Sequence, residues 1–493
     1  MLIDEKIEKK EETDVKTFLD VENSNNDDIA GKFQGAFNED DYIDVPPDGG
    51  WTAWLCCFAV SCMNFATWGG AASFSIFLDF YLTNDVFTDA TSTDYAMIGG
   101  LVVFFGLGLL PFVSIILLKF GYRITISLGI IIQLVGYIGA AYSKNIHQLY
   151  FTQGVLVGVS MGCIFGANVI VLPSWFLKKR AIANGFTHFG LGAGAVAYSL
   201  TVNKLIEKTN HQKWALITVG LISTAICLTS MLLVKVRIPK NATINKNNKS
   251  IKVILKTIFD YNVWYSFPLQ LASFWAVGCQ LAYTILMFSL SNYATSLGFN
   301  KNQATIISVV FGVGQAFGRP GMGIFSELIG RVNFSIFCSV YSIVMVFGVW
   351  INIEKYYSLV IFSIFSGFFA GIASVNIVPL VVDVVGLDKY PSGLGYANTL
   401  AAITCLIAEV IGLNLRDYSL KNPYFHCQLL VGCAYVIASL ILLPYREWRV
   451  RRMIQQLKDS NTSDEVEKQR YNDLYYDKSI WGYLKRMFYF QKV

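Results

Sequence analysis

Apolar stretches of about twenty residues or more recur along this chain of 493 residues, and they leave it few folds to choose from. Twelve such stretches lie near 52–81, 95–118, 124–142, 149–172, 181–203, 214–236, 263–291, 303–326, 334–352, 356–382, 393–416 and 426–444. With a rise of about 1.5 Å per residue, each is long enough as a helix to cross a hydrocarbon core of about 30 Å. A segment in lipid must also satisfy its own backbone polar groups, which a helix does internally. The expected fold is therefore an all-α membrane protein with twelve transmembrane helices in the lipid bilayer. The overall balance, 54% hydrophobic against 15% charged residues, lies outside the range of ordinary soluble domains.

The polar segments divide the chain. Residues 1–45 are acidic with almost no periodic apolar positions, the pattern of a disordered tail. Six spans then fill 46–236, a basic linker runs from 237 to 262, six more spans fill 263–444, and a charged, mostly flexible tail covers 445–493. The end of that tail mixes Trp481, Tyr483 and Phe488 with Lys485 and Arg486, which suits either a membrane surface or a contact with nearby loops. The halves echo each other. Lys119, Gly121 and Arg123 follow the second span, while Glu327, Gly330 and Arg331 follow the eighth, with the two glycines 209 positions apart. Duplication of a six-helix unit predicts such an offset. Lys and Arg in alternate loops sum to fourteen on the side of the N-terminus and eight on the other, so the positive-inside rule places both termini in the cytosol.

What the composition excludes is equally definite. The ten cysteines sit in or beside apolar stretches without CxxC or metal-type spacing, so neither a disulfide framework, a metal site nor a cofactor is expected. Basic residues flank the spans instead of forming one patch, which argues against nucleic acid. No cluster of His, Cys and Asp and no serine nucleophile motif supports an enzyme, so no catalytic residue is assigned.

Three motifs carry a resemblance. Asp48-Gly49-Gly50-Trp51 stands at the mouth of the first span; Trp175 to Gly185 carries the triplet Lys178-Lys179-Arg180 and runs on to Gly190, Gly192 and Gly194; and Gly318-Arg319-Pro320 leads to Glu327, Gly330 and Arg331. In this order, over residues 46 to 445, the chain resembles the monocarboxylate porter family of the major facilitator superfamily, and within it the fungal branch. The resemblance implies a carrier that moves a small-molecule substrate by rocking two halves about a midplane site, in the plasma membrane or the vacuolar membrane. It also implies that the first, fourth, seventh and tenth helices line the cavity. Two departures stand out. Proton-coupled lactate carriers of the family hold a Lys in the first helix and an Asp one turn before the Arg, where this chain has Ala71 and Gln315.

Arg319 is the leading candidate for binding substrate, because a charge at membrane depth costs about 2.5–3.5 kcal/mol even on lenient scales and needs a reason. Asn64, Asn168, Gln280 and Asn376 are further substrate-binding candidates; as membrane-helix amides they also suit structural hydrogen bonds between helices. Glu409 and His188 are titratable groups within spans and candidates for proton coupling. A short monocarboxylate is the family-level substrate. A vitamin-like or aromatic solute such as riboflavin is an alternative, as is a receptor that keeps the carrier fold without transport.

Overall fold

The computed structural model describes residues 46–84, 86, 87, 90–237, 251–417, 419–459, 474–477, 479–487 and 489; the N-terminal tail expectation falls outside them. Every regular element among these residues is helical. Two units separate by internal contacts. A helical body holds the described residues within 46–237 and 251–449, together with 487 and 489, and the other unit holds those within 450–459, 474–477 and 479–486. In the latter, Ile480–Met487 forms a short helix whose Arg486 donates to the carbonyls of Leu474 and Asp477.

The helical body begins with α1 (Trp51–Asn64), which passes through a π turn at Phe65–Gly69 into α2 (Phe74–Asn84). Next come α3 (Ser92–Gly108) and α4 (Leu110–Phe120), bent by 46° at their junction, where Pro111 enters the first turn of α4. They are followed by α5 (Tyr122–Ala141), α6 (Val157–Val171), α7 (Arg180–Thr209) and α8 (Gln212–Leu233). After α9 (Ile251–Ile258) come α10 (Phe267–Ser296), α11 (Lys301–Ile329), α12 (Arg331–Val344), α13 (Tyr356–Phe369), α14 (Ile372–Asn414) and α15 (Phe425–Asp459).

Eight of the described helical runs are long and apolar enough to cross a membrane, and the bent pair α3 and α4 raises this to nine. The difference from twelve hydropathy stretches has physical causes. The stretches near 356–382 and 393–416 fall in one apolar run, Tyr356–Gly412, and within it α14 (Ile372–Asn414) is two helices that meet at a kink at Gly386, whose φ of +73° no β-carbon tolerates well. Helices α7 and α11 are not among the eight because polar and charged residues interrupt their apolar faces. Two loop expectations also change. Residues 445–459, read as part of a flexible tail, continue α15, and the linker's end folds into α9, whose Ile254 and Ile258 are buried. Pro320 lies inside a helix assigned without interruption from Lys301 to Ile329.

Tight packing between the two chain halves runs along two seams, α7 against α11 and α3 against α14. Glycine makes the first seam possible. A β-carbon at Gly192 would fall 2.3 Å from the Ala316 nitrogen, and one at Gly185 2.5 Å from the Arg319 carbonyl. Another face of α7 carries Gly190 and Gly194, where β-carbons would lie 1.8 Å from the Ser61 carbonyl and 2.4 Å from that of Phe65. One helix thus holds the first helix on one side and its opposite number from the second half on the other. Gly121 and Gly330, the echoed turn residues, both take positive φ, +89° and +105°, between consecutive helices.

Overpacking a close helix contact costs roughly 1–3 kcal/mol or more. Gly192→Leu is therefore expected to lower the thermal midpoint of the purified protein by several degrees. Gly348→Ala, whose new methyl would meet only a Val344 carbon at 4.0 Å, should leave it unchanged. Fluorescence-detected size-exclusion after a temperature series measures both.

Candidate functional site

The α11 sequence sets Arg319 into the body by removing bulk around it. Gly314 and Gly318 let α13 and the turn after it approach, since β-carbons there would fall 2.3 Å from the carbonyls of Ile364 and Phe368. Gly371 opens the space the guanidinium fills; a β-carbon on it would stand 3.0 Å from Arg319 Nε. The side chain is only 1% exposed. Its Nη2 donates to Gln315 Oε1 at 2.8 Å and to Tyr283 Oη at 3.1 Å, and the Tyr283 hydroxyl donates in turn to Gln315 Oε1 at 2.8 Å. The guanidinium carbon sits 5.6 Å from the Tyr283 ring centre, within cation–π range.

What Arg319 lacks is an anion. Its Nε and Nη1 have no protein partner, and no described carboxylate pairs with it. Burial of an uncompensated charge costs several kcal/mol, so neutral dipoles from Gln315 and Tyr283 leave the cation's demand unmet. Gln315 occupies the place where the family resemblance has an acid, which accounts for the imbalance.

Arg319 forms part of the wall of a cavity between the chain halves, with about 1330 Å³ between its walls when the open mouth is included. Gln280, Tyr283, Thr284, Ser374 and Asn398 supply polar groups from the second half. Across from them stand Trp68, Phe74, Phe77 and Phe165, with Gly70, Ala71 and Ala72 making room on the first helix.

His188 reaches the same cavity from α7. Its Nδ1 lies 2.9 Å from the Asn184 carbonyl, which can only accept, so Nδ1 carries the hydrogen and Nε2 is left as the ring's acceptor edge. Asn184 also crosses the seam, donating to the Ser374 and Val375 carbonyls at 3.0 and 2.7 Å.

Of the expected binding residues, Arg319 and Gln280 line the cavity together, whereas Asn64, Asn168 and Asn376 lie outside its wall. Their amides are engaged elsewhere. Asn64 donates to the Thr187 carbonyl at 2.9 Å, and Asn168 accepts from Tyr122 Oη at 2.7 Å. Asn376 holds Ser326, Ser335 and the Arg331 carbonyl at once, at 2.9, 2.8 and 3.1 Å. These three act as ties between helices. The side chain of Glu409 lies outside the described residues.

The second echoed turn is the centre of an ionic cluster. Arg331 bridges Glu327 at 2.9 Å and Asp383 at 3.1 Å, and Arg449 adds a contact to Asp383 at 3.5 Å. Glu327 Oε1 also accepts from the Ala181 backbone N–H at 2.9 Å, so the cluster fastens α11 to the start of α7. Nearby, Asp48 accepts from the backbone of Leu177 and Lys178 at 2.5 and 2.8 Å, binding the first motif to the second. The first turn is not built this way: Arg123 is exposed, Leu118 stands 209 positions before Glu327, and Lys119 rests 5.0 Å from the Phe120 ring centre. At the other end of the bundle Lys301 and Asp79 approach to 3.9 Å with both side chains about half exposed or more. Sequence reasoning missed Asp383, which fell one residue beyond an expected span, as well as Tyr283 and Trp68, whose aromatic character is ordinary in a membrane helix.

Comparison with known proteins places this architecture. The family model of the Major Facilitator Superfamily matches residues 54–408 and 273–490, and the chain belongs to that superfamily. It is 32% identical to the uncharacterized transporter ESBP6 of Saccharomyces cerevisiae over 446 residues, 90% of this chain but 66% of the relative's length. It is 30% identical to the probable transporter MCH2 of the same yeast, covering 91% of this chain and 93% of that one. The fujikurins efflux protein of Gibberella fujikuroi is 27% identical over 81% of this chain and 84% of its own. The protein is a multi-pass membrane transporter of small organic solutes.

Removing one member of a buried ion pair costs about 3–5 kcal/mol, and less where the pair is partly solvated as here. Asp383→Asn, which strips two arginines of their shared partner, should lower the thermal midpoint more than Glu327→Gln, which leaves Arg331 paired with Asp383. Lys421→Ala, in a pair with side chains 90% and 71% exposed, should leave it within error. Melting curves of the three variants test this order.

Proposed function

We propose that this protein is a secondary carrier of an organic anion, of the monocarboxylate type, and that Arg319 binds the anion's acidic group. The observation that carries the reading is a buried guanidinium at a cavity wall with no carboxylate of its own. Arginine offers a carboxylate two parallel N–H donors, and in a water-poor wall such a charge-assisted pair is stronger than a neutral hydrogen bond. An incoming anion thus supplies what the fold withholds.

Twelve spans in two six-helix halves, with both termini in the cytosol, complete the proposal. It is supported by the like turns at Gly121 and Gly330, by the seams α7 with α11 and α3 with α14, and by the loop charges. On this arrangement the Arg331 cluster lies at the cytosolic end and holds the halves together there. Solute enters while the cluster is closed, and its release at that end requires the Glu327 bond to Ala181 to open. Names of relatives include an efflux protein, so the carrier reading extends to export as well as uptake. His188, with its free acceptor edge on the cavity, is the group through which a proton would accompany the anion.

The test is exchange of labelled acid in proteoliposomes. Arg319→Lys keeps the charge but not the paired donors, and it is expected to reduce exchange at least tenfold at normal abundance and monodispersity. Wild-type exchange by the Lys variant would assign Arg319 to the scaffold. His188→Gln should reduce stimulation by an imposed proton gradient while leaving exchange between equal pH values in place; unchanged stimulation would remove the coupling role.

A further inference from the structure

The cavity is chemically lopsided. Among the described residues that line it, Arg319 is the only arginine and lies on the second-half wall with Gln280, Tyr283, Thr284 and Asn398, and none is Asp, Glu or Lys. The opposite wall is dominated by aromatic and aliphatic side chains, with Trp68 and Phe165 packed edge to face at 5.3 Å and 79°. Trp68 Nε1–H has no protein partner. A two- or three-carbon acid bound at Arg319 would leave the aromatic wall without an apolar partner.

We infer that the solute class is an amphipathic organic anion, with one acidic group directed to Arg319 and an aromatic or branched apolar body resting on the Trp68–Phe165 wall. Such a molecule matches both walls at once. The body gains by leaving water for the aromatic surface, and the acid gains by compensating the guanidinium. Trp68 and Phe165 are on this view the residues that select the body, and Arg319 the one that selects the charge. The inference rests on the proposal that Arg319 takes an acidic group, and the test separates the two.

Purified full-length protein is titrated with acetate, phenylacetate and phenylacetamide, with thermal stabilisation as the readout. Phenylacetate is expected to half-saturate at least tenfold below acetate, and phenylacetamide to give no stabilisation at the same concentrations. Trp68→Ala should shrink the phenylacetate-to-acetate preference at least fivefold; if that variant is not monodisperse, Phe165→Leu and Trp68→Phe are read for the same loss. Equal affinity for acetate and phenylacetate, or a preference untouched by these wall variants, would overturn the assignment of the body while leaving the anion carrier standing. Stabilisation by phenylacetamide equal to that by phenylacetate, and retained in Arg319→Gln, would instead overturn the acidic-group reading and this inference with it.

Discussion

Close approach of α7 and α11 is the constraint on which the rest of the body depends. Within a bilayer, helices gain little from hydrophobicity when they leave lipid for each other, so association rests on packing and on hydrogen bonds. Gly185 and Gly192 supply the packing, with no side chain to hold the Arg319 carbonyl and Ala316 at a distance. On the same stretch of α7 the backbone of Ala181 bonds to Glu327 of α11, while Asn184 reaches the Ser374 and Val375 carbonyls of α14. Because these contacts lie within a few turns of one another, they also bring His188 and Arg319 to a common cavity.

The proposed function draws on an incomplete balance in that arrangement. Most buried polar groups in the body find partners within it, as Asn376 does with two serines and a carbonyl. Arg319 does not, although Gln315 and Tyr283 satisfy one of its nitrogens. A fold that left this guanidinium fully paired would be more stable and less able to attract an anion.

Much of this was legible from residue types alone, and what was not has a common reason. Arg319 announced itself because a charge in an apolar run is costly wherever it points. The Gly turns were readable as well, since positive φ selects glycine whatever its surroundings. Asn64, Asn168 and Asn376 were not separable from Gln280, because an amide's role depends on whether another helix brings it a partner, and that information is three-dimensional. Asp383 escaped for a different reason: hydropathy ended the span at 382, whereas α14 carries on as a helix to Gly386 and turns the carboxylate toward Arg331. Hydropathy also found stretches at α7 and α11 that look less apolar as whole helices, because each carries polar side chains, among them Asn184 and His188 on α7 and Gln315 and Arg319 on α11.

The two ends of the bundle differ in how their charges meet solvent, and that difference makes ionic strength a mechanical variable. Glu327, Arg331 and Asp383 are each under 20% exposed, so mobile ions have little access to the field between them. Lys301 and Asp79 stand in open water at 63% and 48% exposure, where the Debye length of about 8 Å at physiological salt weakens their attraction. Added salt therefore weakens the exposed pair and spares the enclosed cluster. A solution ion that binds nowhere in the protein still discriminates between the two sets of charges.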